Sequence, residues 1–190
     1  MVYESLIAIV EESVDNLAKS WSREVNNCEY LDTYKALPEK ELFDRGQKLF
    51  TNLLHWLQTG ASNEDAAKYF QEVGEERIGE GFPLSEVYYA LYLEKKVLWS
   101  FVAWKEEITN KLKAVDAIEF MTVINNYFDL GNFYIIRGFM NKLYEDLSGS
   151  DKFSKEELEK IFSKGALYRE TVKQIKDGMY GEGLNIGILR

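Results

Sequence analysis

One histidine, one cysteine and two prolines in 190 residues limit the chemistry open to this chain. With His55 alone there is no His-based zinc triad, no Glu-x-x-His pair of the kind that builds a di-iron bundle, and no Ser-His-Asp triad with a spare His. Hydrolase and metal-centred mechanisms are therefore disfavoured, and no metal or cofactor is expected. Cys28 has no second cysteine for a disulfide, a redox pair or a zinc knuckle. No run approaches the roughly 18 uncharged apolar residues that a membrane span needs. Basic clusters are also missing: 23 Lys and Arg stand against 32 Asp and Glu, a net charge of −9. Such a field repels phosphate backbones and anionic lipid headgroups, which excludes nucleic acid and membrane insertion as expected partners. Met1 to Val10 is apolar but carries Glu4, lacks a basic start and runs into Glu11-Glu12, unlike a secretion signal. The expected compartment is the cytoplasm.

Helical periodicity is plentiful. Leu6, Val10, Val14, Leu17, Trp21 and Val25 step by threes and fours, one stripe of a helix about 25 residues long. Leu31 to Leu37 reads as a connector, and Pro38 suits the first turn of a second helix that stops at Gly60. Ser62 with Asp65, a weak variant of the capping box, opens a third helix ended by Gly79 and Gly81. A fourth helix follows Phe82-Pro83 and closes near Lys105 to Asn110, with Tyr88, Tyr92 and Trp99 on one side and Leu93, Val97 and Trp104 on the other. Such a helix is central in a bundle or lies in an interface. The fifth, from about Leu112 to Leu147, is apolar nearly all round, and Gly131 and Gly138 bend it or admit a close neighbour. Ser148-Gly149-Ser150 is the best boundary. Beyond it come a short helix capped by Ser154 and Glu157, a polar helix over Arg169 to Lys176, and a Gly-rich tail from Gly178. No segment alternates convincingly enough for a strand. The expected class is all-α: an antiparallel bundle of five main helices with short C-terminal helices, divided into residues 1–148 and an extension over 149–190.

Several positions merit chemical attention. His55, within Leu53-Leu54-His55-Trp56-Leu57, invites comparison with a globin-like haem site or apolar-ligand carrier, against the plainer reading of a hydrogen-bonded structural imidazole. Asn125, Asp129 and Asn132 fall at i, i+4 and i+7, a polar line on an apolar cylinder, and Lys95 stands similarly among aromatics on the fourth helix. They form either a buried ion pair and polar cavity lining, or the solvent-facing edges of their helices. Adjacent carboxylates such as Glu75-Glu76 point about 100° apart on a helix and read as solvated faces. Gly79-Glu80-Gly81 and Gly178 to Gly183 lack the preceding strand of a nucleotide cradle. Tyr88, Tyr89, Tyr92, Trp99 and Trp104 crowd one helix, which fits core packing, a self-association surface or an apolar pocket.

The segment Val73-Gly-Glu-Glu-Arg77-Ile-Gly-Glu-Gly81-Phe82-Pro83-Leu84-Ser-Glu86-Val87, continuing to Leu98-Trp99, resembles the N-terminal regulatory domain of RsbRD-type stressosome co-antagonists and related bacterial histidine kinases. Asn125-Asn126-Tyr-Phe-Asp129 and Trp21 resemble further positions of that family. The resemblance implies an all-helical, cytoplasmic, non-enzymatic sensory domain, commonly dimeric, acting on a protein partner in a signalling pathway. No output module follows residue 148, so a stand-alone regulator or the input region of a longer protein is expected. The switch residues expected on these grounds are Arg77, Gly81, Phe82, Lys95, Trp99, Asn125, Asp129 and Asn132, with Arg77 paired to Asp129 and the Gly81-Phe82 turn setting the angle between helices.

Overall fold

A computed structural model describes residues 2–60, 62–104 and 114–164. Within them the chain is helical and free of strands: α1 (Val2–Asn27), α2 (Asp32–Lys35), α3 (Glu39–Gln58), α4 (Asn63–Gly79), α5 (Leu84–Trp104), α6 (Ala114–Ser148) and α7 (Lys155–Lys164). The all-α expectation holds. The connector read at 31–37 contains a single helical turn, α2, and Pro38 stands just before α3 as its N-cap rather than inside it. Ser62 caps α4 by position only, since its side chain makes no cap hydrogen bond. Ser154 behaves as read: its backbone N–H donates to Glu157 Oε2 at 2.9 Å, and the Glu157 N–H donates back to Ser154 Oγ at 3.3 Å. The end of the fourth helix near residues 105–110, the polar helix at 169–176 and the tail lie outside the described residues.

The chain divides into two units, residues 1–140 and 141–190. In the first, the periodic stripe of α1 is the interior one, with Val10, Leu17, Trp21 and Val25 fully buried. α1 packs closely on α3, running antiparallel to it, as Ala18 and Trp21 lie over Gly46 and Asp15 accepts from Gln47 Nε2 at 2.8 Å. α1 also packs on α5, where Trp21 Nε1–H donates to the Ala90 carbonyl at 2.9 Å, giving a wholly buried indole its polar partner.

α4 and α6 meet almost backbone to backbone. A Cβ on Gly138 would stand 2.1 Å from the Gln71 carbonyl oxygen, and one on Gly74 would stand 2.2 Å from that of Ile135. Two glycines, one from each helix, thus open the crossing that lets these helices touch. The close-neighbour reading of Gly138 is the correct one, and Gly131 likewise admits the ring of Phe70. Trp56 packs tilted and Phe70 edge to face against Tyr127, each with ring centroids 4.9 Å apart, joining α3, α4 and α6. In the second unit Tyr144 and Phe162 pack edge to face at 5.3 Å.

Candidate functional site

The joint between α4 and α5 is built by the residues of the Gly-Glu-Arg and Gly-Phe segments. α4 ends at Gly79, and Gly81 adopts φ +83°. The Phe82 N–H then bonds the Arg77 carbonyl at 2.9 Å, and the Gly81 N–H bonds that of Ile78 at 3.0 Å, the paired closure of a Schellman motif. Phe82 is turned inward, 4% exposed, and both the Arg45 and Arg77 guanidiniums face its ring at 5.3 and 5.8 Å. Tyr34 from α2 closes on the same ring at 4.6 Å. Glu80 ties the two arginines together, accepting from Arg45 Nη1 and Nη2 at 2.9 and 3.0 Å and from Arg77 Nη1 at 2.9 Å. Partial burial works to raise the Glu80 carboxyl, but the hydrogen bonds and charges of Arg45 and Arg77 outweigh it and hold the group below its usual range. Burial raises the Tyr34 hydroxyl, which Arg77 partly offsets. α5 is anchored from its first turn, where Glu86 accepts from Thr33 N–H and Oγ1–H at 2.9 and 3.0 Å. A void of about 20 Å³ lies beside Arg77, Tyr34 and Arg45, and the buried Arg77 Nε has no hydrogen-bond partner among the described residues.

This geometry corrects one expectation. Arg77 pairs with Glu80, and more loosely with Glu76 at 3.6 Å, rather than with Asp129. Three residues along a helix suffice to reach Glu80. Since Gly81 holds a left-handed conformation with open space around it, Gly81→Ala is expected to lose about 1 kcal/mol, measured by urea denaturation, through backbone strain alone.

The second group of expected residues lies where α5 and α6 run side by side. Lys95 Nζ and Asp129 Oδ1 are 3.2 Å apart, and Trp99 packs edge to face on Phe120 at 5.5 Å, so the helices are antiparallel there. The pair is made but it is not buried: the Asp129 side chain is 71% exposed. The solvent-facing alternative is therefore the correct one for Asp129. Asn125 and Asn132 are half-buried, and Asn132 Oδ1 is enclosed with no hydrogen-bond partner among the described residues. The exposed surface of α5 and α6 carries several large apolar side chains. Tyr88 and Tyr92 on α5, and Ile118, Met121 and Phe133 on α6, are all exposed, and so is Glu119 between Ile118 and Met121. Leu93 and Val97, on the opposite side of α5, are buried.

His55 is exposed on α3, where its ring offers no axial nitrogen to an interior porphyrin. An open cleft of about 380 Å³ between α1 and α5 is lined by Arg23, Glu24, Lys96 and Val97 among others. Among the described residues no three His, Cys, Asp or Glu side chains group to hold a metal ion, and no helix is long and apolar enough to cross a membrane.

Glu94 is the residue that sequence reasoning passed over. It is wholly buried, and neither carboxylate oxygen has a hydrogen-bond partner among the described residues. It stands in a run of charge with Lys95 and Lys96, which reads as surface. Yet the steps Val87, Leu91, Glu94, Leu98 trace the buried stripe of α5, and that register was available in the sequence.

Compared with known families, residues 8–142 match the family of RsbT co-antagonist protein rsbRD N-terminal domains. That span holds the α4–α5 joint and the α5–α6 face together. No curated protein and no solved structure matches the chain.

Proposed function

Since the chain belongs to the RsbT co-antagonist protein rsbRD N-terminal domain family, a regulatory family, we propose that it is a non-enzymatic cytoplasmic signal-input domain that forms a homodimer and engages a signalling protein through the α5–α6 face. The observation that carries the reading is the composition of that face. Tyr88 and Tyr92 on α5, and Ile118, Met121 and Phe133 on α6, are exposed on a chain of net charge −9, and Lys95 and Asp129 pair with each other across the two helices. Large exposed apolar residues on two neighbouring helices suit a protein interface. The Lys95–Asp129 pair itself adds no net charge against a second copy. The joint at Arg77, Glu80, Gly81 and Phe82 fixes how α5 leaves α4. A signal that altered that angle would change the face, the two-state repacking that regulation requires.

Tyr92→Asp and Met121→Asp, combined, place two like charges at half-exposed positions of α5 and α6. Sedimentation equilibrium is expected to show the wild type as a dimer and the variant shifted to monomer, with helical circular dichroism unchanged. Asp129→Leu is likewise expected to keep helicity while altering dimer stability. Unchanged association in both variants would place the interface elsewhere.

A further inference from the structure

Glu94 poses a physical problem that nothing in the regulatory reading resolves. An ionised carboxylate enclosed in apolar surroundings, without a hydrogen bond or a counter-ion, carries a desolvation cost that is a large part of the stability of a domain. Among the described residues neither oxygen of Glu94 has such a partner. Burial alone accounts for its carboxyl being raised well above the usual range. The titratable groups that face it are Tyr69 from α4 and Tyr127 from α6, hydroxyls that burial, and then Glu94 itself, push upward. Tyr127 is also wholly buried, with its hydroxyl unpartnered. Lys95, the next residue, turns away to Asp129, and Lys96 turns to Glu24 at 2.7 Å. Three helices thus converge on an acid that none of them neutralises.

We infer that Glu94 is a proton-operated latch: α5 packs against α4 and α6 with Glu94 as a neutral carboxylic acid, and release of its proton drives α5 into a second packing in which the carboxylate reaches water. The helix suits such a change because it is apolar on more than one side. A partial turn of α5 that carries Glu94 toward the side on which Lys95 stands brings Leu93 toward the place of Glu94, so that an apolar side chain approaches the vacated core. The same rotation displaces Tyr88 and Tyr92. The latch itself does not rest on self-association, and its test reads stability and protonation rather than oligomer formation.

The sign follows from linkage. A carboxyl whose folded-state pKa is raised contributes its full stability below the ordinary carboxyl range and loses it as pH climbs toward the folded-state value. Equilibrium urea unfolding of the full chain at pH values from about 5 to about 8 is expected to show the wild-type folding constant falling by up to about tenfold per pH unit relative to Glu94→Gln, which keeps the shape of the neutral acid. Glu94→Met serves as a second variant and is expected to behave like the glutamine. Infrared difference spectroscopy of the wild type at about pH 5, just above the ordinary carboxyl range, should contain the C=O stretch of an un-ionised carboxylic acid that Glu94→Gln lacks, a readout that needs no unfolding. Parallel pH profiles in wild type and both variants, or the absence of that band in the wild type, would overturn the latch.

Discussion

Gly138→Ala is expected to destabilise the bundle by about 3 kcal/mol or more, at the upper end of what overpacking costs. The added methyl carbon would sit 2.1 Å from the Gln71 carbonyl oxygen, and that atom belongs to the α4 backbone, which cannot swing aside as a side chain can. Gly74→Ala brings the same collision from the other helix, against the Ile135 carbonyl at 2.2 Å and the Phe139 N–H at 2.8 Å. Relief requires α4 and α6 to separate along their whole contact, which also loosens the packing of Trp56 and Phe70 against Tyr127. Because both substitutions force one separation, their combined cost should fall well short of the sum of the singles. Urea denaturation with a double-mutant cycle measures this. A stability within about 0.5 kcal/mol of wild type for either alanine would mean that the helices do not cross so closely.

Phe82→Ala is expected to cost about 3 to 5 kcal/mol, the range for truncating a buried phenylalanine. Its ring is the floor on which Arg45, Arg77 and Tyr34 rest, so its loss leaves a cavity and also removes the face over which two guanidiniums are held. The arginines keep Glu80, and Gly81 keeps its turn, so α4 should still end where it does while the joint loses rigidity. Phe82→Leu, which fills much of the volume but offers no aromatic face, separates the two contributions and should recover most of the stability. Thermal unfolding of the three proteins decides the matter. Equal losses for alanine and leucine would assign the energy to the aromatic face rather than to packing.

How far these features could be read without the structure depends on how local their causes are. The stripe from Val10 to Val25 was legible because a helix that buries one face must repeat its apolar residues at that period, and the capping pair Ser154 and Glu157 because both partners lie within one turn. The joint was legible as residues but not as contacts. Arg77, Gly81 and Phe82 were singled out, whereas Arg45 and Tyr34, which complete the cluster, come from elements more than 30 residues away along the chain. Lys95 and Asp129 each fall on a polar line of an otherwise apolar helix, yet periodicity assigns a residue to a line and does not say whether that line meets the core or water. Water was the outcome for Asp129. Gly74 carried no local mark, since a glycine that admits a neighbouring helix looks in sequence like one that merely weakens its own. Glu94 was hidden by type: a carboxylate beside two lysines reads as surface unless its register is given more weight than its charge.

The self-association face is tested most directly by amide hydrogen exchange of the full chain across a dilution series. Concentration-dependent protection should fall on residues 88–99 of α5 and 118–133 of α6, and it should vanish in the variant carrying Tyr92→Asp and Met121→Asp. Protection that rises with concentration on α1 or α3 instead, or no concentration dependence at any amide, would contradict a homodimer built on α5 and α6.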